Sequence, residues 1–142
     1  MIIGVSFTST NNTHTFRMLE MAFNHPNQYW YIDDLELNYF EFQEGMYDYF
    51  EFKKRVYELS CLSFARFRRY PADSILKKID TYIDYIESKC EILILFYDGG
   101  YFEVFCKEAT LCILIYEFAE KVGLEKIEYI TDGNNDRESM HF

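Results

Sequence analysis

The sequence predicts an α+β fold: a single globular domain over residues 1–142, with a mixed or mainly antiparallel sheet of about five to seven strands and three helices packed on it. Three observations carry this expectation. Short runs rich in β-branched and aromatic residues recur along the chain, each ended by a polar or glycine-containing turn. Between them lie stretches whose apolar residues recur at helical spacing. The 142 residues are 49% hydrophobic and 20% aromatic, enough for one packed core and too few for two. Two prolines and six glycines argue against a disordered or fibrous chain.

Taken in order, Ile2 to Thr8 reads as a strand, ended by Ser9-Thr10-Asn11-Asn12. Asn12 or Thr13 then caps a helix whose Phe16, Leu19 and Phe23 share one face. Asn24-His25-Pro26-Asn27 stops it, and Gln28 to Asp33 forms an aromatic-rich strand. Leu35, Leu37 and Tyr39 alternate with polar residues, as in a further strand, up to Gly45. Tyr47 to Lys54 alternates aromatic and charged residues and fits a strand or a short helix. Tyr57 to Phe67 alternates as one long strand ending before Pro71.

Asp73 or Ser74 caps a second helix, with Ile75, Ile79, Tyr82, Ile83 and Ile86 as its apolar stripe. Cys90 to Asp98 is apolar on both faces, as expected for a central strand covered on both sides. Asp98-Gly99-Gly100-Tyr101 signals a hairpin. With a two-residue Gly99-Gly100 loop, Leu93, Leu95, Tyr97, Phe102, Val104 and Cys106 share the core face. Ile92, Ile94, Phe96 and Phe105 are then only partly covered and offer a second copy a dimer face. A one-residue slip would swap the faces on one strand. Glu108 to Val122 is the third helix, with Gly123 as its stop, and Ile127 to Thr131 is the last strand.

The chemistry is sparse. The start of the chain lacks the basic region of a signal peptide, and the longest apolar runs fall far below the roughly 20 residues that span a bilayer. Cys61, Cys90, Cys106 and Cys112 form no C-x-x-C pair and sit in apolar runs, as buried reduced thiols in a cytoplasmic protein would. His14, His25 and His141 are isolated, so no metal, cofactor or catalytic set is expected. Asp132-Gly133-Asn134-Asn135-Asp136 resembles the start of a calcium loop but has Arg137 at the sixth position, where such loops need glycine.

Charge is the most informative feature. The net charge of −10 opposes binding to bulk nucleic acid and to anionic membrane surfaces. From Met18 to Phe52 there is no Lys or Arg, yet the stretch holds Glu20, Asp33, Asp34, Glu36, Glu41, Glu44, Asp48 and Glu51 among eleven aromatic residues. Lys53, Lys54, Arg55, Arg66, Arg68, Arg69, Lys77 and Lys78 follow. One reading is internal pairing of the two segments. The sharper reading is a docking face for a basic protein, formed by Tyr29, Trp30, Tyr31, Asp33, Asp34, Glu36, Glu41, Glu44 and Asp48. It makes the protein a non-enzymatic binding domain, as in immunity or inhibitor proteins that neutralise a basic toxin or nuclease. The alternatives are a small-molecule or enzymatic pocket lined by Tyr29, Trp30, Tyr31 and the cations, and a self-associating structural protein.

The stretches Tyr82–Cys90, Tyr101–Lys107 and Ile127–Asp132, with Asn134 and Arg137, resemble a family of small uncharacterised proteins from Bacillus and related Gram-positive bacteria. Gly4–Phe7 and Tyr29–Ile32 fit it too. Asn135 stands where the family's closing pattern, I-T-D-x-N-D-x-R, has Asp. The resemblance implies a bacterial, cytoplasmic protein and brings no activity to carry over.

Overall fold

The computed structural model describes residues 1–36, 43–59, 62–97, 99–135 and 137–141. Among them the chain forms β1 (Ile2–Thr8), α1 (Asn12–Phe23), β2 (Gln28–Glu36), β3 (Gly45–Tyr47), α2 (Tyr49–Glu58), β4 (Phe64–Pro71), α3 (Tyr82–Glu87), β5 (Ile92–Tyr97), β6 (Tyr101–Cys106), α4 (Ala109–Lys121) and β7 (Glu125–Thr131). The seven strands make one sheet in the order β3-β2-β4-β5-β6-β1-β7. Every neighbouring pair is antiparallel. The apolar β5 takes the middle place, with Ile92 to Phe96 all buried.

Both faces of the sheet are covered, unequally. One face carries α1, α2 and α4. There Phe16 of α1 lies 5.1, 5.1 and 5.2 Å from the rings of Phe67, Phe96 and Phe102. Phe52 and Val56 of α2, with Cys112, Ile115 and Ala119 of α4, complete that core. On the opposite face a smaller core gathers Tyr29, Tyr70, Ile79, Tyr85, Leu93, Phe105 and Met140. Its cover is α3, the irregular strap from Ala72 to Asp80, and the C-terminal tail, whose Ser139 pairs with Thr81 at the junction of strap and α3.

Three expectations are corrected. The long strand from Tyr57 to Phe67 does not form, since Tyr57 and Glu58 close α2 and β4 starts only at Phe64. Asp48 caps α2 by accepting from the Glu51 amide at 2.8 Å, and Phe52 and Val56 bury at a four-residue interval, a helical period that prevails over the local alternation. This makes four helices rather than three. The helix expected from Ser74 shrinks to Tyr82–Glu87, capped by a Thr81–Asp84 capping box. Arginine side chains take the carbonyls of Lys77 and Ile79, which an i→i+4 ladder would need. Ile75, Ile83 and Ile86 are exposed, at 77%, 67% and 47%.

The hairpin register also slips by one residue. Tyr97 pairs with Tyr101 and Ile92 with Cys106, across a three-residue connection with Gly99 at φ 71. Ile92, Ile94 and Phe96 therefore join Phe102, Val104 and Cys106 in the larger core, while Phe105 joins the smaller one. All four residues of the expected dimer face are buried at 3% exposure or less.

Strand β1 shows how tightly the sheet is fitted. Ile2 pairs with Thr131 and Gly4 with Ile130, so Ile3 is an extra residue in a bulge. A Cβ on Gly4 would lie 2.4 Å from the Val104 carbonyl oxygen of β6. The Gly4→Ala variant is expected to lose about 1–3 kcal/mol of stability in urea unfolding. A wild-type midpoint would contradict this packing.

Candidate functional site

The site begins with the register of β2 against β4. Asp33 stands opposite Arg66, Tyr31 opposite Arg68 and Tyr29 opposite Tyr70. Side chains alternate along a strand, so these six lie on one face, the one under the strap. The Asp33 carboxylate accepts from Arg66 Nε at 2.8 Å and from an Arg66 terminal nitrogen at 2.6 Å. Arg68 donates to the same carboxylate at 3.2 Å. Both guanidinium groups are deeply buried, with Arg66 5% and Arg68 3% exposed.

Each arginine also holds backbone. Arg66 donates to the carbonyls of Ile79 at 2.6 Å and Met140 at 2.9 Å, joining the strap and the tail to the sheet. Arg68 donates to the Lys77 carbonyl and the Tyr70 hydroxyl, each at 3.0 Å. Its guanidinium lies 4.9 Å from the centre of the Tyr31 ring and 5.9 Å from that of Tyr70. Burial opposes the charge on Arg66, but the hydrogen bonds and charge of Asp33 overcome it and leave its pKa raised. Burial pushes the Tyr70 hydroxyl up, so it stays protonated. The same cause pushes the neighbouring Cys90 thiol up to about 12.

Beside this cluster a pocket of about 490 Å³ opens to solvent, with Tyr31, Asp34, Arg68, Lys77, Lys78 and His141 in its walls. Asp33, Asp34 and Asp80 face Arg66, Arg68, Lys77 and Lys78 there, an excess of one positive charge before His141 is counted. Asp80 lies 3.6 Å from His141 and 3.2 Å from Lys78. The Arg68 Nε–H is buried and has no acceptor among the described residues.

The residues expected from the sequence are therefore divided. Tyr31, Asp33 and Asp34 meet at the pocket. Tyr29 is buried beneath the strap, stacked on Tyr70 and donating to the Ser74 carbonyl at 3.2 Å. Trp30 points to the other face, where it is 2% exposed, stacks on Phe52 at 4.5 Å and donates to Asn24 at 3.3 Å. Both rings are core. Glu36 ends β2 opposite Phe64, and Glu41 lies outside the described residues. Glu44 and Asp48 face solvent next to α2.

A second charged constellation was not among the expected site residues. On β6, Glu103 accepts from the Tyr97 hydroxyl at 2.8 Å and from Arg137 of the tail at 3.0 and 3.3 Å. Burial, then the bond to Glu103, pushes the Tyr97 hydroxyl up to about 12. The available signal was Glu103 itself, the one charged residue in the strand Tyr101–Cys106.

The fold and these clusters define an α+β protein with a single antiparallel sheet, three helices on one face, and α3 with a strap on the other. The chain belongs to the family described as "Protein of unknown function (DUF2691)", which matches residues 2–141. It is similar to the "Uncharacterized protein YncE" of Bacillus subtilis (strain 168), 27% identical over 104 residues that cover 69% of this chain and 68% of that protein. No solved structure matches the chain. No helix among the described residues is long and apolar enough to cross a membrane.

Removing the shared carboxylate leaves two buried guanidinium groups without their counter-charge. Asp33→Ala is expected to destabilise the fold by about 3–5 kcal/mol in urea unfolding at neutral pH. Glu44→Ala, at the exposed end of the same acidic segment, is expected to stay within about 0.5 kcal/mol of wild type. Equal effects from the two would contradict this division.

Proposed function

We propose that this protein is a non-enzymatic binding domain whose pocket beside β2 and β4 takes a small anion. The supporting observation is the pocket's charge: Arg66, Arg68, Lys77 and Lys78 outnumber Asp33, Asp34 and Asp80 in its lining, and Tyr31 lies against the face of the Arg68 guanidinium. Lys77 and Lys78 are exposed at the mouth and favour entry of an anion in a chain whose net charge would otherwise repel it.

Titration with inorganic phosphate and with citrate at low salt tests this reading, with amide NMR shifts as the signal. Shifts at Tyr31, Lys77 and Lys78 are expected. The double variant Lys77→Gln, Lys78→Gln should weaken binding about 3- to 30-fold, on the scale of two exposed charge contacts. No shift with either anion, or unchanged affinity in the variant, would overturn the proposal.

A second reading retains a basic protein partner, in the manner of an immunity or inhibitor protein. It is favoured by Phe50 and Met46, 75% and 60% exposed beside the exposed carboxylates Glu44, Asp48 and Glu51. Basic nucleases that bind the wild type and not a Glu44→Lys, Phe50→Ser variant would support it. Nuclease binding that survives in the variant, or none at all, would remove it.

A further inference from the structure

The strap and α3 leave the outer part of their sheet face uncovered. There β6, β1 and β7 form the floor of a groove of about 400 Å³, and the tail residues Asn134 and Asn135 form a wall. Ser6 is the centre of the floor, paired across β1 with Glu103 on one side and Glu128 on the other. Three of the stretches that carry the family resemblance, Gly4–Phe7, Tyr101–Lys107 and Ile127–Asp132, meet here, together with Asn134 and Arg137.

We infer that this groove is a binding site for a neutral, polyhydroxylated ligand of the sugar class. Its charges cancel: Glu103 is matched by Arg137, and Glu128 shares the groove with Lys126. A site with balanced charge selects neither anions nor cations, but its groups can exchange many hydrogen bonds. Glu103 is fixed in place. Its Oε1 accepts from both Tyr97 and Arg137, whereas its Oε2 accepts one longer bond of 3.3 Å and retains capacity for a ligand hydroxyl. Ser6, Thr8 and Glu128 add further partners along the floor.

The groove also has a flat apolar side. Tyr97 and Tyr101 stack across the hairpin at 5.6 Å and 16°, and Tyr101 is 44% exposed. Such a ring covers the C–H face of a sugar while its hydroxyls reach the carboxylates. Arg137 of the tail, 34 residues away in sequence, orients the Glu103 carboxylate on the groove floor. The volume falls in the usual range of small-ligand pockets, about 300–1,000 Å³. This inference is independent of the anion pocket, which lies over β2 and β4.

The test is an amide NMR titration of the full chain with glucose, N-acetylglucosamine, maltose and cellobiose, each to about 50 mM, the range where weak sites saturate. Shifts are expected at Ser6, Glu103 and Lys126 with at least one sugar. Tyr101→Ala and Glu128→Gln should each raise the dissociation constant at least about tenfold. Both residues are at exposed positions, and the wild-type pattern of amide resonances elsewhere verifies that the variants fold. Phosphate titration of the other pocket should be unchanged in both. No shift with any of the four sugars, or unaltered affinity in both variants, would overturn the inference.

Discussion

Two guanidinium groups lie under the sheet on β4, and neither is tolerable there without acceptors. Asp33 supplies the charge they share, and the strap and tail supply the carbonyls. This one requirement determines much else. It favours the pairing of Asp33 with Arg66 in β2 and β4, since a one-residue slip would turn the carboxylate to the helical face. It holds residues 77–79 out of helical geometry by engaging the carbonyls of Lys77 and Ile79. It brings Met140, near the chain's end, into the smaller core.

The two faces then serve different ends. The helical face is a dense aromatic core, and Trp30 and Phe16 belong to it. The strapped face is only partly closed, and its incomplete cover leaves two concavities. One lies over β2 and β4 with an excess of positive charge, the other over β6, β1 and β7 with none. The described carboxylates of the acidic stretch from Met18 to Phe52 have different surroundings. Asp33 is consumed by the arginines, Glu20 is buried beside Asn24, Asp48 caps α2, and Glu44 and Glu51 remain at the surface.

Where local periodicity and tertiary packing agree, the elements were legible. β1, α1, β5 and α4 follow their apolar spacing within a few residues. Asn11 caps α1 one residue earlier than Asn12. Where a distant side chain intervenes, the local pattern misleads. The stripe Ile75, Ile79, Ile83, Ile86 has helical spacing, but Arg66 and Arg68 capture the strap, and only Ile79 of the four is buried. The hairpin register was undetermined locally because β5 is apolar on both faces, so either register buries its side chains. The union of acidic and basic segments was legible as a question of charge. Which carboxylate pairs with which cation required the register, and the partnership of Glu103 with Arg137 required the tail's path over the sheet.

The central claim is that the Asp33–Arg66–Arg68 cluster, rather than the strap's own apolar contacts, holds the strap and tail on the sheet. Native-state amide exchange in an Arg66→Met variant tests it most directly, since methionine keeps apolar bulk without the donors. The Met140 amide, which donates to Asp80 at 2.9 Å, and the Tyr85 amide should lose about a hundredfold of their protection together, while Leu93 and Val104 in the sheet centre keep theirs. Wild-type protection at Met140, or an equal loss throughout the sheet, would contradict the claim.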